Sequence, residues 1–207
     1  MDKKDLSEAD ICAKFITPAL SQAGWSEAEQ VYREWPLRPG RMVVRGKTAR
    51  RDPQSVRRAD YALFYKHGIP LAVIEAKDNG HAVGAGMPQA MAYAELLGVP
   101  FAFSSNGDGF VFRDATLATG TLEASLALDA FPSPAELWER LCAWKGWTPA
   151  VRQLTETPYQ PGKPPRYYQI NAINRCVEAI ALGQQRLLLV MATGTGKTQT
   201  AFQIIWR

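Results

Sequence analysis

The chain has 207 residues, of which 46% are apolar and 21% charged, and its 24 Lys and Arg against 20 Asp and Glu give a formal net charge of +4. It contains no run of about 18 apolar residues typical of a membrane helix and no N-terminal signal-peptide pattern. The three scattered cysteines, Cys12, Cys142 and Cys176, argue against a disulfide framework or a zinc knuckle. We therefore expect a reduced, soluble, cytoplasmic protein with a globular core.

The positive charge is concentrated between residues 33 and 58. Nine basic and two acidic residues give this segment a net charge of +7, which leaves −3 for the rest of the chain. Such a surplus is typical of a surface that binds a polyanion such as nucleic acid, because Lys and Arg release counterions from phosphates. A solvated basic loop without a partner is the alternative. The basic residues are Arg33, Arg38, Arg41, Arg45, Lys47, Arg50, Arg51, Arg57 and Arg58.

Apolar periodicity and turn residues predict alternating helices and strands. The first helix spans residues 7–23, with Ser7 and Asp10 as a capping box, and Pro18 is expected to kink or divide it. Strands follow at 61–66, 69–77, 99–104 and 110–113, with helices at 88–97 and 134–145. Five of the fourteen prolines fall within 149–165, which predicts a linker. Beyond it we expect a helix at 168–182, a wholly apolar strand at 187–191, a glycine loop and the start of another helix.

Two carboxylates are predicted to meet across a hairpin. A two-residue turn at 67–68 places Asp60 directly opposite Glu75, where like charges destabilise the pair unless a cation binds between them. Carboxylate oxygens, with the Ala76 carbonyl, suit Mg²⁺. Lys77 leaves the same strand face as Glu75, where it could orient or deprotonate water and offset charge on a phosphate. The alternative is a strand whose charges merely pair with their neighbours.

The spacing of these residues resembles a known nuclease family. Asp60 followed by Glu75-Ala76-Lys77 resembles the PD-(D/E)xK nuclease core, with Ala59 where that pattern has proline.

The next predicted helix carries a second resemblance. The sequence QAMAY, from Gln89 to Tyr93, resembles the QxxxY helix of RecB-like nucleases and type I restriction R subunits, and residues 101–107 resemble the segment after that helix in the restriction subunits. Glu8 matches an upstream acidic residue that some of these nucleases use near the metal. Without the hairpin, an ordinary polar helix face would explain Gln89 and Tyr93, and the helix dipole is the alternative explanation for Glu8.

A glycine loop near the end of the sequence predicts a phosphate site. The run from Ala192 to Thr198 lacks the first glycine of the general P-loop pattern, since Met191 stands there, and resembles the form found in superfamily-two helicases and translocases. Upstream, Gln169 lies in a segment that resembles the adenine-reading motif of the same motors. The predicted nucleotide-binding residues are Gln169, Thr193, Gly194, Thr195, Gly196, Lys197 and Thr198.

The order of the motifs is similar to the N-terminal part of a type I restriction enzyme R subunit. The resemblance implies an α/β restriction-endonuclease-like core with a mixed central sheet flanked by helices over 1–147. A proline-rich linker over 148–165 and the incomplete start of a RecA-like motor over 166–207 would come after it. The resemblance also implies Mg²⁺-dependent hydrolysis of double-stranded DNA by a type I site-specific deoxyribonuclease. ATP-driven translocation would need the full-length subunit. Its partners would be methyltransferase and specificity subunits, and it would not associate with a membrane.

The resemblance further assigns roles to residues. Asp60 and Glu75, with the Ala76 carbonyl, would bind the metal, and Lys77 would serve the water and the transition state. Gln89 and Tyr93 would support the DNA strand. Two alternatives remain open: a non-catalytic module that docks DNA and other subunits, and a nuclease–helicase fusion of DNA repair.

The motor segment lacks an acidic motif. No Asp or Glu follows Glu178, although such a residue is expected after the glycine loop. We therefore expect no ATP hydrolysis by this chain alone.

Overall fold

The computed structural model of the chain describes residues 3–39, 42–45, 48–51, 56–120, 122–162 and 165–207. Its helices are α1 Glu8–Ile11, α2 Thr17–Gln22, α3 Met87–Leu97, α4 Pro134–Lys145, α5 Pro149–Thr155, α6 Tyr167–Ala181 and α7 Lys197–Trp206. Its strands are β1 Val31–Pro39, β2 Met42–Arg45, β3 Thr48–Arg51, β4 Val56–Lys66, β5 Ile69–Ala76, β6 Phe101–Ser105, β7 Phe110–Asp114 and β8 Glu123–Leu126.

Six strands form a mixed sheet in the order β1-β4-β5-β6-β7-β8, and β2 pairs with β3 in a separate ladder. Among the described strands, β5 and β6 are the one parallel pair, and α3 makes the crossover between them. The neighbours of this pair run antiparallel. The mixed α/β architecture predicted from the sequence is therefore confirmed at this level.

Helices cover both faces of the sheet. Ile11 of α1 and Trp138 of α4 belong to a core with Phe103 on one face. On the other face, Tyr93 of α3 packs in a second core with Val73. Because successive strand residues alternate between faces, each strand at the centre of the sheet contributes to both cores.

The first helix forms as predicted, with a local change at its proline. The Ser7 side chain accepts a hydrogen bond from the Asp10 main chain, and the Asp10 side chain completes the capping box. Between α1 and α2 the chain makes a π-helical turn, Cys12–Ile16, in which the Thr17 N–H donates to the Cys12 carbonyl. Pro18 has no N–H to donate, and this wider turn divides the helix into α1 and α2 just before the proline.

The predicted hairpin register is also observed. Lys66 pairs with Ile69, and Tyr61 pairs with Ile74, both as the two-residue turn requires. The ladder is irregular at Pro70, which has no N–H to contribute, and then returns to register. The helices at 88–97 and 134–145 and the strands at 99–104 and 110–113 are confirmed within two residues at each end.

The basic segment contains strands that the sequence analysis missed. β1, β2 and β3 all lie within residues 31–51. A bulge between Pro36 and Arg38 breaks the alternation of β1, which hides its strand pattern. Arg41 and Lys47 lie outside the described residues, whereas Arg33, Arg57 and Arg58 are exposed on β1 and β4.

The stretch predicted as a linker begins with a helix. Thr148 caps α5, and Pro149 occupies its first position, where its missing N–H costs nothing. Tyr159, further along, is buried. The first half of this stretch is therefore helical, because proline here starts a helix rather than interrupting structure.

The strand predicted at 187–191 is not formed. Leu188 and Val190 are 90% and 83% exposed, and the segment has no regular secondary structure. A strand requires a neighbouring strand to satisfy its N–H and C=O groups, and none of the described strands pairs with it. The helix expected at 168–182 is confirmed as α6.

The three cysteines are free, as expected from their scatter. Within the described ranges, no helix has both the length and the apolar character needed to cross a membrane.

Candidate functional site

The predicted carboxylates lie at one end of the α3-facing side of the sheet. Ala62 of β4 and Val73 of β5 both pack in the α3 core. Asp60 and Glu75 are each two residues further along these strands, so they continue the same row. Acidic side chains therefore replace apolar ones at this end of the buried face.

Glu75 is the most buried charged group of the site. Its side chain is 2% exposed, and its Oε1 accepts a hydrogen bond from Lys77 Nζ at 3.0 Å. Its Oε2 is buried and has no hydrogen-bond partner among the residues that the structure describes. Burial, and then the charge of Asp60, raise the pKa of Glu75 to about 8. The ionised form of Glu75 is therefore unfavourable in the fold, and a bound cation would stabilise it.

Asp60 is partly buried beside Glu75. Its Oδ2 accepts a hydrogen bond from the Ala76 main-chain N–H at 2.7 Å, which ties β4 to β5 at the site. Burial raises the pKa of Asp60, although this hydrogen bond and Lys77 oppose the change. The two carboxyl groups thus share one desolvated end of the hairpin, as the sequence predicted.

Lys77 connects the hairpin to the first helix. Its Nζ lies 4.0 Å from Oε2 of Glu8, the first residue of α1, in addition to its bond with Glu75. Burial lowers the pKa of Lys77, but the hydrogen bond and charge of Glu75, together with the charges of Glu8 and Asp60, outweigh it, so the pKa is raised overall. The ammonium group is therefore protonated at neutral pH. Burial and the charge of Asp60 raise the pKa of Glu8.

The donor set fits a divalent cation of the Mg²⁺ type. Two carboxylates and a nearby main-chain carbonyl provide the hard oxygen ligands that Mg²⁺ prefers, and water completes such sites. The unpartnered Oε2 of Glu75 provides a free ligand atom. Within the residues described, no three His, Cys, Asp or Glu side chains form a metal-binding group. Mg²⁺ held by one or two carboxylates usually keeps several of its waters.

Gln89 and Tyr93 lie on α3 and contact each other. The Gln89 amide donates to the Tyr93 hydroxyl at 3.0 Å. The Tyr93 ring is buried in the α3 core, whereas Gln89 is exposed. The start of α3 lies next to Glu75, because Gly86, which precedes the helix, packs on the Glu75 side chain.

Sequence analysis missed Glu34. It lies in β1 between Arg33 and Trp35, whose partners in β4 are the residues on either side of Asp60. Its φ of 50° is the one positive value at a non-glycine residue in the described part of the chain. Its charge contributes to the raised pKa of Asp60. No pattern within β1 marks it, because only strand pairing brings it to the site.

Ser104 was missed as well. It lies in the predicted strand 99–104 but was given no role, yet β6 pairs it directly with Glu75. The signal that points to it is a pair of serines, Ser104 and Ser105, at the end of an apolar strand.

The glycine loop and the start of α6 come together at a separate place. Gln169 is buried, and its amide donates to the Thr195 carbonyl at 3.2 Å. Gly194 and Gly196 adopt φ values of 78° and 84°, and Gly196 caps α7. The Lys197 amine lies 3.4 Å from the Met191 carbonyl of its own loop. Thr193 and Thr198 are exposed.

Comparison with known proteins identifies relatives over the whole chain. The family model described as "Type I restriction enzyme R protein N terminus" matches residues 48–120, and "Type III restriction enzyme, res subunit" matches residues 162–207. The chain is 56% identical over 211 residues to the type I restriction enzyme EcoAI endonuclease subunit of Escherichia coli, covering 100% of this chain and 26% of that protein. It is 27% identical over 267 residues to the EcoKI endonuclease subunit of E. coli strain K12, covering 99% and 22%.

A solved structure has the same fold. A fragment described as an HsdR subunit of a type I restriction enzyme from Vibrio vulnificus superimposes with a TM-score of 0.83 at 41% identity, covering 97% of this chain and 38% of that one. The chain spans about a quarter of the length of the two curated relatives (26% and 22%).

Proposed function

Since this chain corresponds to the N-terminal region of the type I restriction R subunits, we propose that it provides the DNA endonuclease of such a subunit. Residues 1–147 form a PD-(D/E)xK nuclease domain that hydrolyses phosphodiester bonds of double-stranded DNA with Mg²⁺. Residues 148–165 connect it to the first part of a RecA-like motor at 166–207. In the full-length subunit the motor binds ATP and translocates DNA, and methyltransferase and specificity subunits complete the complex.

The observation that carries this proposal is the state of Glu75. It is a buried carboxylate beside a second carboxylate, with one oxygen that receives no hydrogen bond from the described residues and a pKa raised to about 8. A structural ion pair would satisfy both oxygens. A cation ligand is instead expected to leave an oxygen free until the cation binds, so the arrangement favours metal binding over a purely structural role.

The residues of the site divide the chemical work between them. Asp60, Glu75 and the Ala76 carbonyl would hold the metal, and the chemistry that bound Mg²⁺ supplies is polarisation of the phosphate and activation of water. Lys77, protonated because its pKa is raised, offsets the charge that develops on the phosphate and orients the attacking water by donating a hydrogen bond. A protonated amine does not remove a proton, so Lys77 serves as an electrostatic group rather than a base.

The surroundings of the site suit DNA. Arg58 lies two residues before Asp60 in β4 and so leaves the same face of the sheet, while Arg33 and Arg57 are exposed nearby. Exposed arginines beside the carboxylates attract phosphates to a site that would otherwise repel them. Gln89, exposed on α3 and bonded to Tyr93, supports the same DNA strand.

A plasmid-nicking assay tests the assignment. The chain is incubated with supercoiled plasmid and Mg²⁺, and Asp60→Asn and Lys77→Ala are compared with the parent. Each substitution removes a charge from the site, and we expect a rate at least about 100-fold lower, the size typical for loss of one group that stabilises transition-state charge. Glu95→Gln and Lys14→Ala, which change exposed groups on α3 and the first helix, are the matched controls and should retain the parent rate.

The alternatives predict different results. Nicking that is unaffected by either substitution contradicts the assigned site. Binding of duplex DNA without nicking under any metal condition favours the docking module instead.

A further inference from the structure

The loop between β5 and α3 lies directly on the Glu75 side chain. Glu75 and Ser104 are paired across the parallel strands β5 and β6, so their side chains leave the same face of the sheet. Gly86 covers both of them. A Cβ added at Gly86 would stand 2.9 Å from Glu75 Cγ, 3.1 Å from Glu75 Cβ and 3.0 Å from Ser104 Oγ. Only a residue without a side chain permits this contact.

The Ser104 hydroxyl fastens that loop to the sheet. It accepts a hydrogen bond from the Gly86 main-chain N–H at 3.0 Å and donates one to the Val83 carbonyl at 2.6 Å. Ser104 is completely buried. One side chain therefore satisfies a donor and an acceptor of the loop, and alanine there would leave both without their partner.

Hydrogen bonds alone do not fix the orientation of Glu75. Among the described residues, Lys77 is the one donor to its Oε1, and no donor reaches its Oε2. The side chain is instead confined by packing. Gly86 lies so close to it that an added Cβ would stand 2.9 Å from Glu75 Cγ and 3.1 Å from Glu75 Cβ. The loop keeps this position because the Ser104 hydroxyl bonds it to β6.

We infer that Ser104 and Gly86 are positioning residues that hold the Glu75 carboxylate in the orientation required to bind the metal. This inference rests on the proposed nuclease function. Residues that orient metal-binding carboxylates from outside the coordination sphere typically change metal affinity about 10–100-fold when they are mutated.

Matched variants separate positioning from general destabilisation. Ser104→Ala is compared with Ser105→Ala: Ser105 is equally buried in the same strand, but its hydroxyl bonds Gly109 and Gly107, away from Glu75. A second pair of variants applies the same comparison to the loop.

Gly86→Ala is compared with Gly84→Ala in that loop. Gly86 has φ −82° and ψ −7°, which alanine adopts freely, so its substitution acts only through the contacts with Glu75 and Ser104. A Cβ at Gly84 would meet only Val111, at 3.4 Å or more.

Two measurements test whether these residues position Glu75. Isothermal titration with Mg²⁺, without DNA, should show affinity about 10-fold weaker for Ser104→Ala and Gly86→Ala and within twofold of the parent for the two controls. NMR of the Lys77 side-chain amine in metal-free buffer reports its hydrogen bond to Glu75. We expect that signal to shift in the same two variants and to remain unchanged in the controls.

Each outcome decides a different claim. If the parent binds no Mg²⁺, the proposed function fails, and the Lys77 signal still decides whether Ser104 and Gly86 position Glu75. Equal effects in test and control variants, or an unchanged Lys77 signal in both test variants, overturn the inference. Should Ser104→Ala not fold, the comparison of Gly86→Ala with Gly84→Ala remains decisive.

Discussion

The side-chain amide of Asn174, in α6, donates a hydrogen bond to the main-chain carbonyl of Gly68 at 2.7 Å. Gly68 is in the turn of the β4–β5 hairpin, whose opposite end carries Asp60 and Glu75. The Tyr159 hydroxyl also bonds Asn174, at 2.8 Å, and its ring lies against Gly68. The start of the proposed motor is therefore packed on the hairpin that carries the proposed nuclease site.

Gly68→Ala should disrupt this packing. Gly68 has φ +81°, and a Cβ there would overlap the Tyr159 ring. We expect the free energy of unfolding, from urea titration, to fall by about 3 kcal/mol, because the overlap adds to the cost of roughly 1–2 kcal/mol for a left-handed residue with a Cβ. Gly183→Ala is the matched control: its φ is +87° with nothing within 4 Å, so it carries the conformational cost alone. Equal losses in the two variants would show that the Tyr159 contact contributes nothing.

Leu188 and Val190 should tolerate polar substitution. Both are largely exposed in a segment without regular structure, so Leu188→Ser and Val190→Ser remove little buried surface. We expect the free energy of unfolding to change by less than about 0.5 kcal/mol, as for ordinary surface substitutions. Ile173→Ser, at a completely buried position in α6, is the contrasting variant and should cost several kcal/mol. A large loss at Leu188 would mean that the segment forms the strand its sequence predicts.

These two residues mark the limit of prediction from sequence. An apolar run of five residues is typical of a buried strand, but a strand exists only where another strand pairs with it. The hairpin was predictable for the opposite reason: its two-residue turn sets the register, which the ladder regains beyond the irregularity at Pro70, so that Tyr61 pairs with Ile74. Local signals of this kind also located α3 and α4.

Other parts of the site depend on contacts between distant segments. Glu34 reaches Asp60 only through the pairing of β1 with β4, and Ser104 reaches Glu75 only through the parallel pairing of β5 with β6. Neither pairing follows from turn length, since long connections separate the strands. The sequence therefore predicted the charged pair of the candidate site together with Lys77, and left out neighbours that only the sheet brings close.

Tyr93→Phe should weaken DNA binding while changing the stability of the fold only slightly. The ring is buried and remains, while the hydroxyl that accepts from Gln89 is removed. Because Gln89 is exposed and regains water, we expect a loss of unfolding free energy of at most about 1 kcal/mol. Under the proposed function, affinity for a short duplex, measured by fluorescence anisotropy, should fall about fivefold, because losing one bound hydrogen-bonding group typically costs about that much.

Tyr32→Phe is the control for this substitution. The Tyr32 hydroxyl contacts His67, at the turn end of the hairpin and away from the carboxylates. Its removal should leave DNA affinity within about twofold of the parent, since no group near the site changes. Weakened DNA binding in both variants would remove the special role assigned to Tyr93.

Glu75→Gln should abolish most of the pH dependence of stability in metal-free buffer. The pKa of Glu75 is raised to about 8 in the folded chain from an ordinary value of 4.5, so between these values the folded state holds a proton that the unfolded state has released. Stability must then fall as pH rises through this window. From about pH 5 to pH 8, urea titration with EDTA present should show a parental loss on the order of 3 kcal/mol.

Glutamine at this position carries no titrating group, so the variant should lose much less over the same range and be the more stable protein at about pH 8. Glu95→Gln, at an exposed site on α3, should retain the parental slope. Mg²⁺ at that pH should stabilise the parent, because a ligand that binds only the folded state adds free energy in proportion to the logarithm of its concentration over its Kd. It should not stabilise Glu75→Gln to the same extent, since the amide provides a weaker, uncharged ligand. Parental stability that stays level across this pH range would mean that Glu75 is not held as a desolvated acid.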